Sequence, residues 1–448
     1  MRPIAVLGIA LFVAACGPTA EVINSPSPPG ESPSLAPTIG ATTPPSSGPT
    51  GASGSSTPLP LTTPSPPINL STPTPSTAPG GSFQVLDGFP VNGAFEVDDV
   101  TSTSTGFVAV GFGGLDGDTY LGLRQGIVWT SADGMIWSQS VDPSLRNVTP
   151  ISVVARGADL FLVGVLSACS DLTDEYCADL PQAGNAVWHS SDAVSWERLP
   201  QWPDMQLGGV DSMILAGDGL VVFGDSGEGQ TPTAWFSTDG VSWTSTTDLA
   251  GLDPISSMIL SPTGFTAFGT RYVSEAGDFV LTAALSGDGA HFTATSAPQL
   301  AGAWIDDVVA GVNGFVGVGY QSTEVLETEA LAVHSVDGIN WAEAASSDGS
   351  FAGSALQTVH ALPSGYVAVG YRPNADDFTL QDGQVWFSAE GQDWRAGDSL
   401  NGTFTQLNAS ALGSSGLVVF AGEQTDIYDD DLSSVIHAWY APLSALRG

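Results

Sequence analysis

Val128-Trp129-Thr130-Ser131-Ala132-Asp133-Gly134-Met135-Ile136-Trp137 decides the architecture. It reads as an apolar run, a Ser, any residue, Asp, Gly, two further residues and a Trp. The pattern returns as Ser190–Trp196, Ser237–Trp243, Ser286–Phe292, Ser335–Trp341 and Ser388–Trp394. Each copy keeps the same internal spacing, and copies recur roughly every 47–59 residues, a period that signals a propeller or another array.

The chemistry of the stretch explains its form. An Asp-Gly pair between two apolar runs marks a hairpin, because the favoured tight turn needs positive φ. The Ser hydroxyl and the Asp carboxylate can bond nearby backbone N–H groups and fix the turn. The structural set is therefore Ser131, Asp133, Trp137; Ser190, Asp192, Trp196; Ser237, Asp239, Trp243; Ser286, Asp288, Phe292; Ser335, Asp337, Trp341; and Ser388, Glu390, Trp394. Departures are mild: Ala193 replaces the Gly, Glu390 the Asp and Phe292 the Trp. Ten of the 12 Trp lie at this position or at the one two residues before the Ser, counting Trp439, where Ala441 stands in place of the Ser; this assigns them to packing between blades and not to sugar stacking.

A second signal runs in register with the first. Gly106–Gly111 recurs as Gly219–Gly224, Gly264–Gly269, Gly314–Gly319 and Gly365–Gly370, with looser forms at Asp159–Gly164 and Gly416–Ala421. Each is a β-branched or aromatic run opened by a turn residue, and the first Gly is expected at positive φ. A short apolar segment precedes every one. Each unit thus predicts four antiparallel strands, and the count predicts an all-β, seven-bladed β-propeller. The seventh unit stops after its third strand, near Trp439. Phe83–Phe89 is an unassigned strand ahead of the first unit, and is expected to supply the missing outer strand and close the ring.

Composition divides the rest. From residue 17 to about 82 the chain is Pro/Ser/Thr/Gly-rich, with no aromatic residue and only Glu21 and Glu31 charged. Such a stretch cannot bury enough apolar surface to fold and reads as a disordered stalk. At ~3.1 Å per residue it could extend on the order of 200 Å. Met1-Arg2-Pro3 followed by the apolar run Ile4–Ala15 has the layout of a signal peptide. Val13-Ala14-Ala15-Cys16 resembles the bacterial lipoprotein lipobox, which implies cleavage before Cys16, lipidation of that residue and anchoring on the extracytoplasmic side of the cell membrane. Expected domains are thus a signal peptide (1–15), a lipidated linker (16–82) and the propeller (83–448). Cys169 and Cys177, close together in an exported chain, are expected to form a local disulfide.

The net charge is -38, from 47 acids against 9 bases, every base being Arg. A chain so acidic is repelled by phosphate backbones, which excludes nucleic-acid binding. Asp116-Gly117-Asp118 and Asp429-Asp430-Asp431 offer hard oxygens to Ca²⁺, but neither completes an EF-hand-like loop, so no cofactor is expected beyond that option.

The recurring turn resembles the Asp-box, or BNR repeat, of the sialidase-like propeller superfamily: Ser131, Asp133 and Trp137 match its Ser, Asp and aromatic, one residue more tightly spaced. The resemblance spans roughly residues 83–448 and implies the propeller fold. It does not carry activity, because Asp-boxes also occur in non-catalytic propellers. Sialidases use three Arg, a Tyr–Glu pair and an Asp, with an early Phe/Tyr-Arg-Ile-Pro motif that is absent here; Tyr371-Arg372-Pro373 is a partial echo. No nucleophile elbow, phosphate loop or dinucleotide fingerprint stands in a suitable context, and the five His show no metal-ligand pairing.

Geometry locates the expected function. The Gly turns and Asp-turns fall on one face of the disc, and longer, variable loops fall on the other, where binding residues concentrate. That face presents Tyr120, Arg124, Arg271, Tyr272, Arg372, Asp377 and Tyr428. The inner strands add a channel ring in which Asp99 and Asp307 carry charge. The expectation is a monomeric, non-catalytic binding or scaffold module for an extracellular protein or glycan. The alternatives are an extracellular glycoside hydrolase and an envelope assembly factor.

Overall fold

The computed structural model describes residues 83–448, apart from 115–123, 167–182, 201–207, 228–230, 274–277, 296–299, 323–327, 378, 426–432 and 447–448. The signal peptide, Cys16 and linker, the Cys169/Cys177 pair, Tyr120, Tyr428 and both Asp-rich loops lie outside the described residues.

Seven antiparallel sheets form a propeller. The first blade runs Ala94–Thr103, Gly106–Gly114, Arg124–Ser131 and Ser138–Ser140, hydrogen-bonded in that order. The innermost strands of the following blades are Val148–Arg156, Val210–Ala216, Ile255–Ser261, Ala303–Gly311, Ala355–Leu362 and Gln406–Leu412. Gln84–Val85 pairs antiparallel with the last strand, Ser433–Pro442, through Gln84–Tyr440 and Val85–Trp439. The N-terminal strand therefore closes the ring. The sixth blade departs from the expected four strands, because Ala345–Ser346 pairs in parallel with Asp393 and Trp394. Asp348 secures this addition, accepting from the Ala396 N–H at 2.9 Å across 48 residues.

The apolar core is distributed between blades, in seven clusters among the described residues. Each repeat Trp packs back onto the preceding blade. Trp137 meets Phe420 of the seventh blade at 5.4 Å between ring centres, and Trp341 of the fifth meets Phe268 of the fourth at 4.8 Å. The upstream Trp129, Trp188, Trp386 and Trp439 are fully buried. Their indole N–H groups donate to Pro90 O, Ser144 O and Ser350 Oγ in the preceding linkers and, for Trp439, to Asn401 O in the outer strand of the sixth blade.

The recurring turn is a small hydrogen-bonded cage. The Ser131 hydroxyl donates to Asp133 Oδ1 at 3.2 Å and accepts from the Gly134 N–H at 2.9 Å. Asp133 Oδ1 also accepts from the N–H groups of Met135 and Ile136, at 2.8 and 2.9 Å. The Trp137 indole returns to Gly134 O at 3.0 Å. Gly134 sits at φ +81°, and Ala193 adopts +60° in the same position. Backbone N–H bonds hold Asp192 and Asp239 down to about 2.

In the sixth copy Ser388 and Trp394 keep their bonds to Gly391. Glu390 takes no part in them. Glu390→Asp is expected to restore the acceptor for two N–H groups and to stabilise the domain by about 0.5–1 kcal/mol, by analogy with helix caps. Thermal melting checks this, and a lower melting temperature would count against the cage.

The Gly-turn expectation is met in part. Gly106, Gly264, Gly314 and Gly365 have φ of +145°, +121°, +115° and +146°. At the third blade the left-handed residue is instead Gly217 (+60°), because the turn itself needs it two residues earlier than Gly219. Gly416 serves by size alone, since a Cβ there would stand 2.2 Å from the Ala441 carbonyl.

Candidate functional site

All seven innermost strands share one irregularity. Their pairing with the second strand slips by a residue between Val97 and Asp99, Pro150 and Ser152, Val210 and Ser212, Ile255 and Ser257, Ile305 and Asp307, Leu356 and Thr358, and Leu407 and Ala409. Each slip is a β-bulge, which re-aims the extra side chain. The extra residues are Asp98, Ile151, Asp211, Ser256, Asp306, Gln357 and Asn408. In six blades both the bulged residue and its successor line one cavity of about 400 Å³, a volume typical of small-ligand sites. Five of the lining side chains are carboxyl groups, and none is Arg.

The two Asp expected in the ring have structural duties. Asp99 Oδ2 accepts from Ser152 Oγ at 2.9 Å and from the Val153 N–H at 2.8 Å, tying the first blade to the second. Asp307 Oδ2 likewise accepts from the Val359 N–H at 2.8 Å, tying the fifth to the sixth. Each also accepts from its successor's N–H, Val100 or Val308, at 2.8 Å. Burial pushes Asp99 up to about 6 despite these bonds.

The bulged Asp98, Asp211 and Asp306 were not anticipated. Burial raises Asp98 well above the carboxylate range, with Glu96 adding and Arg124 opposing. Burial and Asp225 push Asp211 up to about 6. Burial and Asp307 push Asp306 up to about 8, against a bond from Trp304. Trp304 is one of only two Trp outside the repeat positions, which was the available signal. Tyr320 and Tyr371 stand close enough to feel the Asp306 charge, and Tyr371 is pushed up to about 12, by burial first.

The lining amides are oriented. Gln357 Nε2 donates to Leu407 O at 2.9 Å, and Asn408 Nδ2 donates to Glu96 Oε1 and Val97 O, each at 3.0 Å. Their oxygens, with Asp98 Oδ2, are enclosed and have no hydrogen-bond partner. An enclosed acceptor left unmet costs about 1–3 kcal/mol. Beside them, Ser410 Oγ lies 2.6 Å from Thr358 Oγ1 and 2.7 Å from His360 Nε2. Burial pushes His360 down to about 4, so the imidazole is neutral.

The loop-face residues are placed apart. Arg124, on the first blade, donates to Thr149 Oγ1 at 3.2 Å and lies 4.2 Å over the Phe112 ring. Arg372, on the sixth, donates to Ser354 Oγ and Ser350 O, both at 2.9 Å. Arg271, on the fourth, packs against Gly251. Among the described residues no shared partner brings the three together. Tyr272 is 58% exposed and sits edge-on to Phe279 at 5.5 Å. Asp377 closes its own turn, accepting from the N–H and hydroxyl of Thr379 at 2.9 and 2.7 Å. No three His, Cys, Asp or Glu among the described residues stand close enough to hold a metal ion.

No known family model matches the chain. No curated protein matches it either. Solved structures do. A protein of unknown function from Dyadobacter fermentans is 13% identical, with TM-score 0.42, over 78% of this chain and 96% of that one. The β-propeller domain of the trilobed protease from Pyrococcus furiosus is 8% identical, with TM-score 0.45, over 78% and 95%. Trypanosoma rangeli sialidase in complex with 2,3-difluorosialic acid is 12% identical, with TM-score 0.40, over 78% of this chain and only 54% of the sialidase. These likenesses bear on architecture alone.

Proposed function

We propose that this protein is a lipid-anchored, extracytoplasmic, non-catalytic binding module, in which the propeller presents its axial cavity and loop-rich face to an extracellular protein or glycan. The anchor reading rests on the lipobox-like Val13–Cys16 and the stalk that follows. The observation that carries the binding reading is the axial cavity of about 400 Å³, lined among the described residues by five carboxyl groups and by no cationic side chain.

Catalysis fits less well. The Ser410–His360 contact has the parts of a nucleophile and its base, but an imidazole at about 4 is a weak base at neutral pH. The surrounding carboxyl groups also oppose the negative charge that acyl transfer develops. Ser410 and His360 instead clasp the sixth blade to the seventh.

Pull-down and glycan-array screening with the full chain test this reading. The triple replacement of Arg124, Arg271 and Arg372 by Ala is expected to leave capture intact while lowering the melting temperature by several degrees, because their described contacts are internal. Capture lost at unchanged melting behaviour would make the three Arg the site. Turnover of a captured glycan would replace binding with hydrolysis.

A further inference from the structure

We draw no further inference here: the strongest candidate, the axial cavity lined by Asp98, Asp99, Asp211, Asp306 and Asp307, belongs to the site already described, and its acidic cluster has no second feature that points to a ligand.

Discussion

A chain lacking residues 83–89 is expected to melt more than about 10 °C below the intact protein, a larger loss than any exposed substitution would give. The segment is short, but it holds two blades at once. Phe83 is buried among Phe404, Leu417 and Trp439 in the cluster between the sixth and seventh blades. Phe89 is buried between the seventh and the first, 5.5 Å from Trp129 and 5.1 Å from Phe420 between ring centres. Removing a buried Phe side chain costs about 3–5 kcal/mol, so the pair accounts for about 6–10. Deletion also bares one edge of Ser433–Pro442, whose groups otherwise pair with Gln84 and Val85 and whose Ala438 O accepts from the Leu86 N–H at 2.8 Å. Calorimetry on the deleted chain and on Phe89→Ala separates packing from pairing. A deletion that melts with the wild type would mean that the ring does not depend on this strand.

The second large effect is in pH. Carboxyl groups raised in the folded state stabilise it most when protonated. Their contribution is complete below the unfolded value near 3.9 and is lost as pH rises through about 6 for Asp99 and Asp211 and about 8 for Asp306. A tenfold change in an ionisation constant is worth about 1.4 kcal/mol, so the loss from pH 5 to pH 9 amounts to a few kcal/mol. Two sets oppose it at the acid end. His360, depressed to about 4, contributes stability above 6.5 that is lost as pH falls through 4. The Asp of the recurring turns, depressed by backbone N–H bonds to about 2 in Asp192 and Asp239, lose theirs only as pH falls through that value. The optimum is expected near pH 5, with the melting temperature declining steadily toward pH 9. Self-repulsion of a chain of charge -38 has the same sign. Asp306→Asn separates the two causes, because it should flatten the decline between pH 6 and 9 and leave the general trend. A melting temperature that climbs from pH 5 to 9 would refute the assignment.

The repeat and the closure were legible because both depend on local chemistry. Ser131, Asp133 and Trp137 form a cage from residues six positions or fewer apart, so their spacing alone reveals it. Closure was legible by subtraction, since a unit ending at Trp439 lacked a strand that Phe83–Phe89 had to spare. The axial site was half legible. Strict alternation along a strand turns Asp98 and Asp306 away from the side that Asp99 and Asp307 occupy, so a period of two yields one lining residue per blade. The bulge doubles that number, and nothing in a β-branched run announces a bulge except polar residues where apolar ones belong. Consecutive Asp at 98–99 and 306–307, inside otherwise apolar strands, were that trace. Partners of the loop-face Arg were not legible at all. Arg124 finds Thr149 and Arg372 finds Ser350 through folding, and an Arg in a loop reads the same whether it is tied down or reaching out.

The strand that closes the ring is also the first described element of the chain. Any pull transmitted along the residues before Phe83 arrives first at the buried Phe83 ring and then at the Gln84–Tyr440 and Val85–Trp439 pairs. Two residue pairs resist peeling weakly, so the buried Phe83 and Phe89 rings on either side of them act as bolts. With the anchor proposed above, the disc would be held at its own seam. Tension strong enough to draw those bolts would open a rigid ring from outside, turning a closed rotor into an open crescent without breaking a blade.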